Sequence, residues 1–312
     1  MPQIPKWGWA VLLPIYSYKM VQSALALMIY PLAFPLIPIF LRENILNNQR
    51  LNEVSLESQR KKFAEDHLAM PITVTIDRYN IDGVIVKTQE TFNRWLVISL
   101  GNLMWYEDAS EFVKFAKAFN ANLLMYNYAG VGRSSLCLPT PHAMKSSHRG
   151  MLDFLEEGME AIEIIDMGWS IGGGVKGQDH LEHPGSKANY ITIDYQTFES
   201  ISKMAHKIAG KFGELAVKFL GWNYSPHQAI DTLVTNKEYK KHIVINADHC
   251  TVDKEIRDGD KLIGSNESLK TALKANSSDK ISCFANNQKH GVMTNFFNQY
   301  NLVSIVNQAF TQ

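Results

Sequence analysis

The chain is poor in cysteine. Cys137, Cys250 and Cys283 are its only three, and they lie far apart. An odd, sparse set speaks against a disulfide scaffold and for free thiols in a reducing compartment. The chain also lacks net charge, with 31 basic residues against 31 acidic ones. Nucleic-acid phosphates demand a basic excess, so no nucleic-acid partner is expected. No internal repeat and no low-complexity tract interrupts the 312 residues. With 46% of them hydrophobic, the chain can bury one large core or two modest ones.

Charge is missing altogether from Met20 to Leu41, a stretch of 22 residues and long enough to span a bilayer. Pro31, Pro35 and Pro38 break its second half, which leaves a clean helix only around Tyr18 to Tyr30. Trp7, Trp9, Tyr16, Tyr18 and Tyr30 are the amphipathic aromatics that favour a membrane interface. Residues 1–41 are therefore expected to form an apolar arm that meets a membrane surface as a monotopic or re-entrant segment rather than a full span. The other reading is an arm packed on the body of the protein or on a partner. A secretory signal fits poorly, because the positive n-region is thin and Ala24-Leu25-Ala26 is a weak cleavage site. The expected location is membrane-associated or cytoplasmic.

Residues 42–70 are polar and read as an amphipathic helical linker. The pattern then changes. Ile72-Thr73-Val74-Thr75-Ile76 alternates like a half-buried strand, Asp82-Gly83 is a turn signal, and Val84-Ile85-Val86 is a second strand, together a hairpin. Trp95 to Leu100 is a continuous apolar run, as in a strand buried on both faces. Further strands are expected at Asn122–Tyr126, before Ser170, at Tyr190–Ile193, His242–Ile245 and Lys280–Phe284. Helices are expected at Asp108–Ala118, Ala143–Gly158 and Gln299–Phe310. Alternating β and α units predict a mostly parallel sheet flanked by helices over residues 71–312. Residues 195–241 hold a helical insertion. Within it, Ile201, Met204, Ile208, Phe212, Leu215 and Phe219 share an apolar face, four lysines take another, and Gly210 and Gly213 permit a bend. The insertion reads either as a surface helix with a solvated lysine face, the favoured reading, or as a lid.

The most informative stretch is Gly168-Trp169-Ser170-Ile171-Gly172, a G-x-S-x-G pentapeptide between an apolar run and Gly173-Gly174. A serine on a tight strand-to-helix turn needs small residues two positions away on either side, here Gly168 and Gly172. The turn carries Oγ clear of the sheet, at a helix N-terminus that favours developing negative charge. A serine nucleophile also needs a base, and an acid to orient that base, in the chain order Ser, acid, His. After the strand at Ile243–Ile245 the acid candidates are Asp253, preferred for Ile256 three residues on, and Asp248 as the alternative. His290 follows the last strand in a loop, with Gly291 next to it, and is the candidate base. Oxyanion donors are expected from the backbone N–H of Ile171 and of Leu103, with Gly101 turning the chain beside the substrate. Asp179, His180 and His183 could suggest a metal, but Pro184 follows at once and no fourth ligand is evident. Neither metal nor cofactor is expected.

Four local patterns carry a resemblance to the α/β-hydrolase superfamily over about residues 71–312. They are Gly101-Asn102 after a buried strand, the N-Y-x-G-x-G-x-S turn from Asn127 to Ser134, the Ser170 elbow, and the late acid and histidine. Within the superfamily the chain resembles the CHLPS-type hydrolase-like group of chlamydiae and legionellae. Gly101-Asn102 with Tyr106-Glu107, the run Gly168–Gly174, Thr197-Phe198-Glu199-Ser200 and Gly221-Trp222 carry that narrower match. The resemblance implies an apolar N-terminal region, a bacterium living inside host cells, and a protein delivered into the host. Two departures stand out. Bulky Leu103 and Met104 occupy the oxyanion loop, and Cys250 stands where an aspartate is usual.

Two functions follow as expectations. One is a serine hydrolase that cleaves an ester, thioester or lipid acyl bond through Ser170, His290 and Asp253. Its partner would be a small-molecule or lipid acyl substrate. The other is a membrane-attached interaction protein on a catalytically degenerate hydrolase scaffold.

Overall fold

The computed structural model describes residues 53–88, 93–102, 104–138, 140–246, 263, 267–273, 276–285 and 301–311. A first helix, α1 (Glu53–His67), leads into a two-stranded hairpin of β1 (Met70–Ile76) and β2 (Tyr79–Val86). The chain continues through β3 (Arg94–Ser99), a 3-10 turn (Tyr106–Asp108), α2 (Glu111–Ala118) and β4 (Asn122–Tyr126). Next come α3 (Pro141–Asp153), a π turn (Phe154–Gly158), β5 (Glu163–Trp169), α4 (Ile171–Glu182) and β6 (Asn189–Tyr195). The last described elements are α5 (Ile201–Phe219), α6 (Pro226–Leu233), β7 (Tyr239–Asn246), α7 (Leu269–Ala272), β8 (Ile281–Ala285) and α8 (Leu302–Thr311).

The strands form one eight-stranded sheet in the order β1-β2-β4-β3-β5-β6-β7-β8. The β1–β2 and β2–β4 pairs are antiparallel, and every other pair is parallel. This confirms the mostly parallel sheet flanked by helices. The period of two along each strand then divides the core. Trp95 and Val97 of β3 and Leu124 of β4 join the layer under α3, α4 and α6, with Met144, Met151, Val175 and Leu233. Leu96, Ile98, Leu123 and Met125 join the opposite layer, with Phe112 and Phe115 of α2 and Leu302 and Val306 of α8.

The hairpin turn is not where the sequence signal placed it. Ile76 pairs with Tyr79, so Asp77-Arg78 makes the turn, and Asp77 takes φ 53°. Asp82 and Gly83 lie inside β2 instead. A Cβ on Gly83 would come within 2.8 Å of the Met125 carbonyl, so the glycine serves close strand approach rather than a turn. Within residues 42–70, α1 is anchored to the body: Phe63 is buried, and Arg60 pairs with Asp82 and, at 3.0 Å, with Glu107. Among the described residues no helix is long and apolar enough to cross a membrane. The arm of residues 1–41 lies outside them.

Candidate active site

Ser170 closes β5 and opens α4 with φ 54° and ψ −114°. A left-handed φ on a non-glycine residue is strained, and surrounding packing must hold it. Three observations show how. The Ser170 N–H donates to the Tyr195 carbonyl of neighbouring β6 at 2.9 Å. A Cβ on Gly172 would sit 1.9 Å from the Ser99 carbonyl oxygen, and one on Gly168 would sit 2.5 Å from the Gly173 Cα. A Cβ on Gly173 would strike the Thr197 hydroxyl at 2.3 Å. The glycines let β3, β5, β6 and the first turn of α4 converge at distances no side chain tolerates. Ile171 follows as the first residue of α4, so its N–H is one of the donors a helix N-terminus leaves unused.

Gly101 lies against this turn. A Cβ there would meet the Met104 sulfur at 3.1 Å, the Trp169 carbonyl at 3.3 Å and Ser170 Cβ at 3.7 Å. The loop after β3 therefore borders the elbow. Ser170, Ile171, Gly168, Gly172 and Gly101 adjoin one another at this turn. Leu103, Asp248, Asp253 and His290 lie outside the described residues. Asp248 and Asp253 follow β7, which ends at Asn246, and His290 follows β8, which ends at Ala285. Two surface cavities of about 350 and 290 Å³ lie elsewhere, on α5 and on α1, and neither is lined by Ser170.

The other motif residues brace the loops around the elbow. Asn127 donates from Nδ2 to Glu107 at 3.1 Å and accepts the Tyr106 N–H at 3.2 Å. Ser134 donates to the Asn127 carbonyl at 2.6 Å and accepts the Asp82 N–H at 2.9 Å. Gly132 adopts φ 57°, and a Cβ there would strike Asn127 Nδ2 at 2.6 Å. Burial pushes the Asp82 and Glu107 carboxyls up, and Arg60 opposes it at both. Thr197 to Ser200 and Gly221-Trp222 fix the two feet of α5. The Thr197 carbonyl accepts from Asn246 Nδ2 at 2.8 Å, Ser200 caps the helix, and Gly221 leaves it with φ 80°.

One group of buried polar residues joins Asp179 and His180, singled out in the sequence, to Asp166, His148 and Tyr239, which the sequence reading did not connect to them. Asp166 sits in the middle of β5 on the face that carries Ile164, towards α3 and α4. Its carboxylate meets His148 Nε2 of α3 at 3.1 Å and His180 Nε2 of α4 at 2.6 Å. His148 Nδ1 reaches Asp179 at 2.9 Å, and Tyr239 OH pairs with His180 Nδ1 at 2.7 Å. His183, expected beside His180, turns away to Asp179 at 3.0 Å, because it lies past the end of α4 with non-helical dihedrals. Burial would lower the His148 pKa, but the two carboxylates win and push it up to about 9. Burial opposes ionisation of Asp166, yet His148 and His180 hold it well below the usual carboxylate range. Asp179 is lowered likewise, with His148 the largest favourable partner. The signal in the sequence was Asp166 itself, an acid inside an apolar strand run.

His148, Asp166 and His180 also have ligand types that can hold a metal ion. Their separations of 2.6 and 3.1 Å are hydrogen-bond lengths with the carboxylate in the middle, shorter than tetrahedral zinc ligands keep from one another. The cluster is complete as a charged hydrogen-bond network. Beside it, Lys176 pairs with Asp194 at 2.8 Å, and Thr192 Oγ1 meets His242 Nδ1 at 2.8 Å. Burial holds the His242 pKa down, to about 3.

The model of the Chlamydia CHLPS protein family (DUF818) matches residues 8–300. The chain belongs to the CHLPS family. Solved structures place this CHLPS-family chain in the α/β-hydrolase fold. An esterase of Pyrococcus furiosus is 12% identical with a TM-score of 0.57, covering 80% of this chain and 93% of that one. An alpha-beta hydrolase from Vibrio vulnificus is 17% identical with a TM-score of 0.59, covering 86% and 92%. An alpha/beta hydrolase enzyme from a Medee basin deep-sea metagenome library is 16% identical with a TM-score of 0.51, covering 77% and 98%. Such identities establish the fold alone. No curated protein matches the CHLPS-family chain.

Proposed function

We propose that this protein is a serine hydrolase acting on an ester, thioester or lipid acyl bond. The observation that carries the reading is the strained Ser170, held at φ 54° at the end of β5 and the start of α4. Nothing in the packing of an inert turn requires a serine there, and a nucleophile held at a helix N-terminus is what acyl transfer uses. In the reaction His290 takes the Ser170 hydroxyl proton as Oγ bonds to the acyl carbon. The Ile171 and Leu103 N–H groups receive the developing oxyanion. The proton then passes from His290 to the leaving group, and an acyl-enzyme remains. Water, deprotonated by His290, attacks that ester, the acyl–Oγ bond breaks, Ser170 Oγ takes the proton back from His290, and the acid is released. Asp253, or Asp248 in its place, fixes the imidazole tautomer. No step calls for a metal or cofactor. Residues 1–41 are proposed to hold the enzyme at a membrane surface, where an apolar acyl substrate resides, and the host-cell setting of the family resemblance makes a host membrane the candidate.

The decisive experiment is labelling with a fluorophosphonate probe. The wild-type protein should label covalently, and Ser170→Ala should abolish both the label and turnover of a short-chain ester. A Ser170→Ala protein that retains most of its turnover would end the nucleophile assignment. Absence of label in the folded wild type would favour the interaction-protein reading.

A further inference from the structure

α1 precedes the sheet in the chain, yet it reaches into the loop beside the elbow. Arg60 Nη2 donates to Asp82 of β2 and, at 3.0 Å, to Glu107 of the 3-10 turn. One nitrogen thus serves both carboxylates. The guanidinium also lies over the Tyr106 ring, 5.4 Å from its centroid, and the Phe63 ring meets Tyr106 edge-on at 6.4 Å. The side chains of Arg60, Asp82 and Glu107 are only 12, 9 and 2% exposed, so water screens these charges little.

Tyr106 and Glu107 close the loop that leaves β3 at Gly101. Its first end borders Ser170. Its far end has two ties, Glu107 to Arg60 and the Tyr106 N–H to Asn127. The two carboxylates on Arg60 are not equally free to move. Asp82 sits inside β2, opposite Thr73 of β1, with its N–H on Ser134 and its carbonyl accepting the Asn127 N–H at 2.9 Å. Glu107 belongs to a turn of three residues. Without the cation, two buried carboxylates would face each other across the gap it leaves, and like charges there repel strongly. Only the Glu107 end can yield, and the loop goes with it.

We infer that Arg60 is a positioning residue: by clamping Glu107 to Asp82, it holds the loop from Gly101 to Trp105 against the Ser170 elbow. That loop is the one from which an oxyanion donor is proposed. The kinetic consequence rests on the hydrolase reading, whereas the placement of the loop does not. On this inference α1 is a working part of the hydrolase rather than a linker.

The test uses the full chain and two readouts. In Arg60→Met, amide hydrogen exchange in residues 101–108 should speed by about tenfold or more. Glu57→Gln, which breaks only the exposed pair of α1 with Arg133, should leave that exchange and the activity unchanged. Turnover of a short-chain ester, counted per site labelled to completion by the fluorophosphonate, should fall by about tenfold or more in Arg60→Met with KM little altered; outright loss of an oxyanion donor costs roughly 100–1,000-fold. In Arg60→Ala, millimolar methylguanidinium should restore part of this turnover, and its uncharged mimic methylurea should not. The cavity lined by Gln59, Phe63 and Glu107 gives it a way in. Should Arg60→Met fail to fold, Arg60→Lys, which keeps a cation of shorter reach, is read in the same way with a smaller loss. Unchanged exchange in residues 101–108 would overturn the inference. So would turnover that falls only in proportion to the labelled sites, which is the mark of lost stability, or equal rescue by methylurea. A wild type that neither labels nor turns over would end the hydrolase reading instead, and exchange alone would then decide whether Arg60 holds the loop.

Discussion

Removing the His148 imidazole tests the buried charged layer most directly. In His148→Leu, Asp166 keeps His180 and Asp179 keeps His183, but the cation shared by both carboxylates is lost. Breaking a fully buried ion pair on one side costs about 3–5 kcal/mol. Unfolding entropy of about 2.1 cal/mol/K per residue gives roughly 0.65 kcal/mol/K for 312 residues. The expected drop in Tm is therefore about 5–8 °C. His148→Gln, whose amide can still donate to one carboxylate, should lose about half as much. The dependence on pH sharpens the test. His148 has a raised pKa in the folded state, so its contribution is complete below about 6.5 and disappears as pH rises through about 9. Asp166 and Asp179 have lowered pKa values, so theirs is complete above about 3.9 and disappears as pH falls below it. The gap in Tm between wild type and His148→Leu should be widest between these limits and narrow on both sides. Thermal unfolding followed by circular dichroism at one scan rate measures it. A gap below about 2 °C at neutral pH, or one that stays constant up to strongly alkaline pH, would show that the layer is not held by a buried imidazolium.

Two further outcomes concern the elbow and the acid. Gly172→Ala should lower soluble yield and destabilise by more than about 3 kcal/mol, because its methyl group would overlap the Ser99 carbonyl, which is backbone and cannot rotate away; a variant with wild-type Tm and activity would remove the close-approach argument. Asp253→Asn should lower kcat far more than Asp248→Asn, with His290→Ala as the reference for complete loss; side-by-side kinetics showing the larger loss at Asp248 would install that residue as the acid.

Much of the sheet was legible because its strands are short apolar runs of the right length. Trp95–Leu100, Asn122–Tyr126 and His242–Ile245 all became central strands. The elbow was legible because a serine at left-handed φ between converging backbones admits only small neighbours, and Gly168, Gly172 and Gly173 print that demand in the sequence. The bend in α5 was likewise announced by Gly210, where the helical dihedrals break. Other features had no local signature. Asp82-Gly83 looked like a turn because a glycine required by close strand approach is the same letter as one required by positive φ. The period along α5 revealed an apolar face, but period reports which residues share a face and not whether anything lies against it. Ile208, Phe212 and Leu215 ended up in solvent. Asp166 showed as an acid inside an apolar run, but its partners did not: His148, His180, Asp179 and Tyr239 come within hydrogen-bond reach of this group only through the packing of α3 and α4 on the sheet. The sequence by itself determined the strands, their face alternation and the position of the nucleophile candidate, since those depend on neighbours along the chain. Tertiary structure alone decided which buried charges meet and which apolar face stays open, since those depend on neighbours across space.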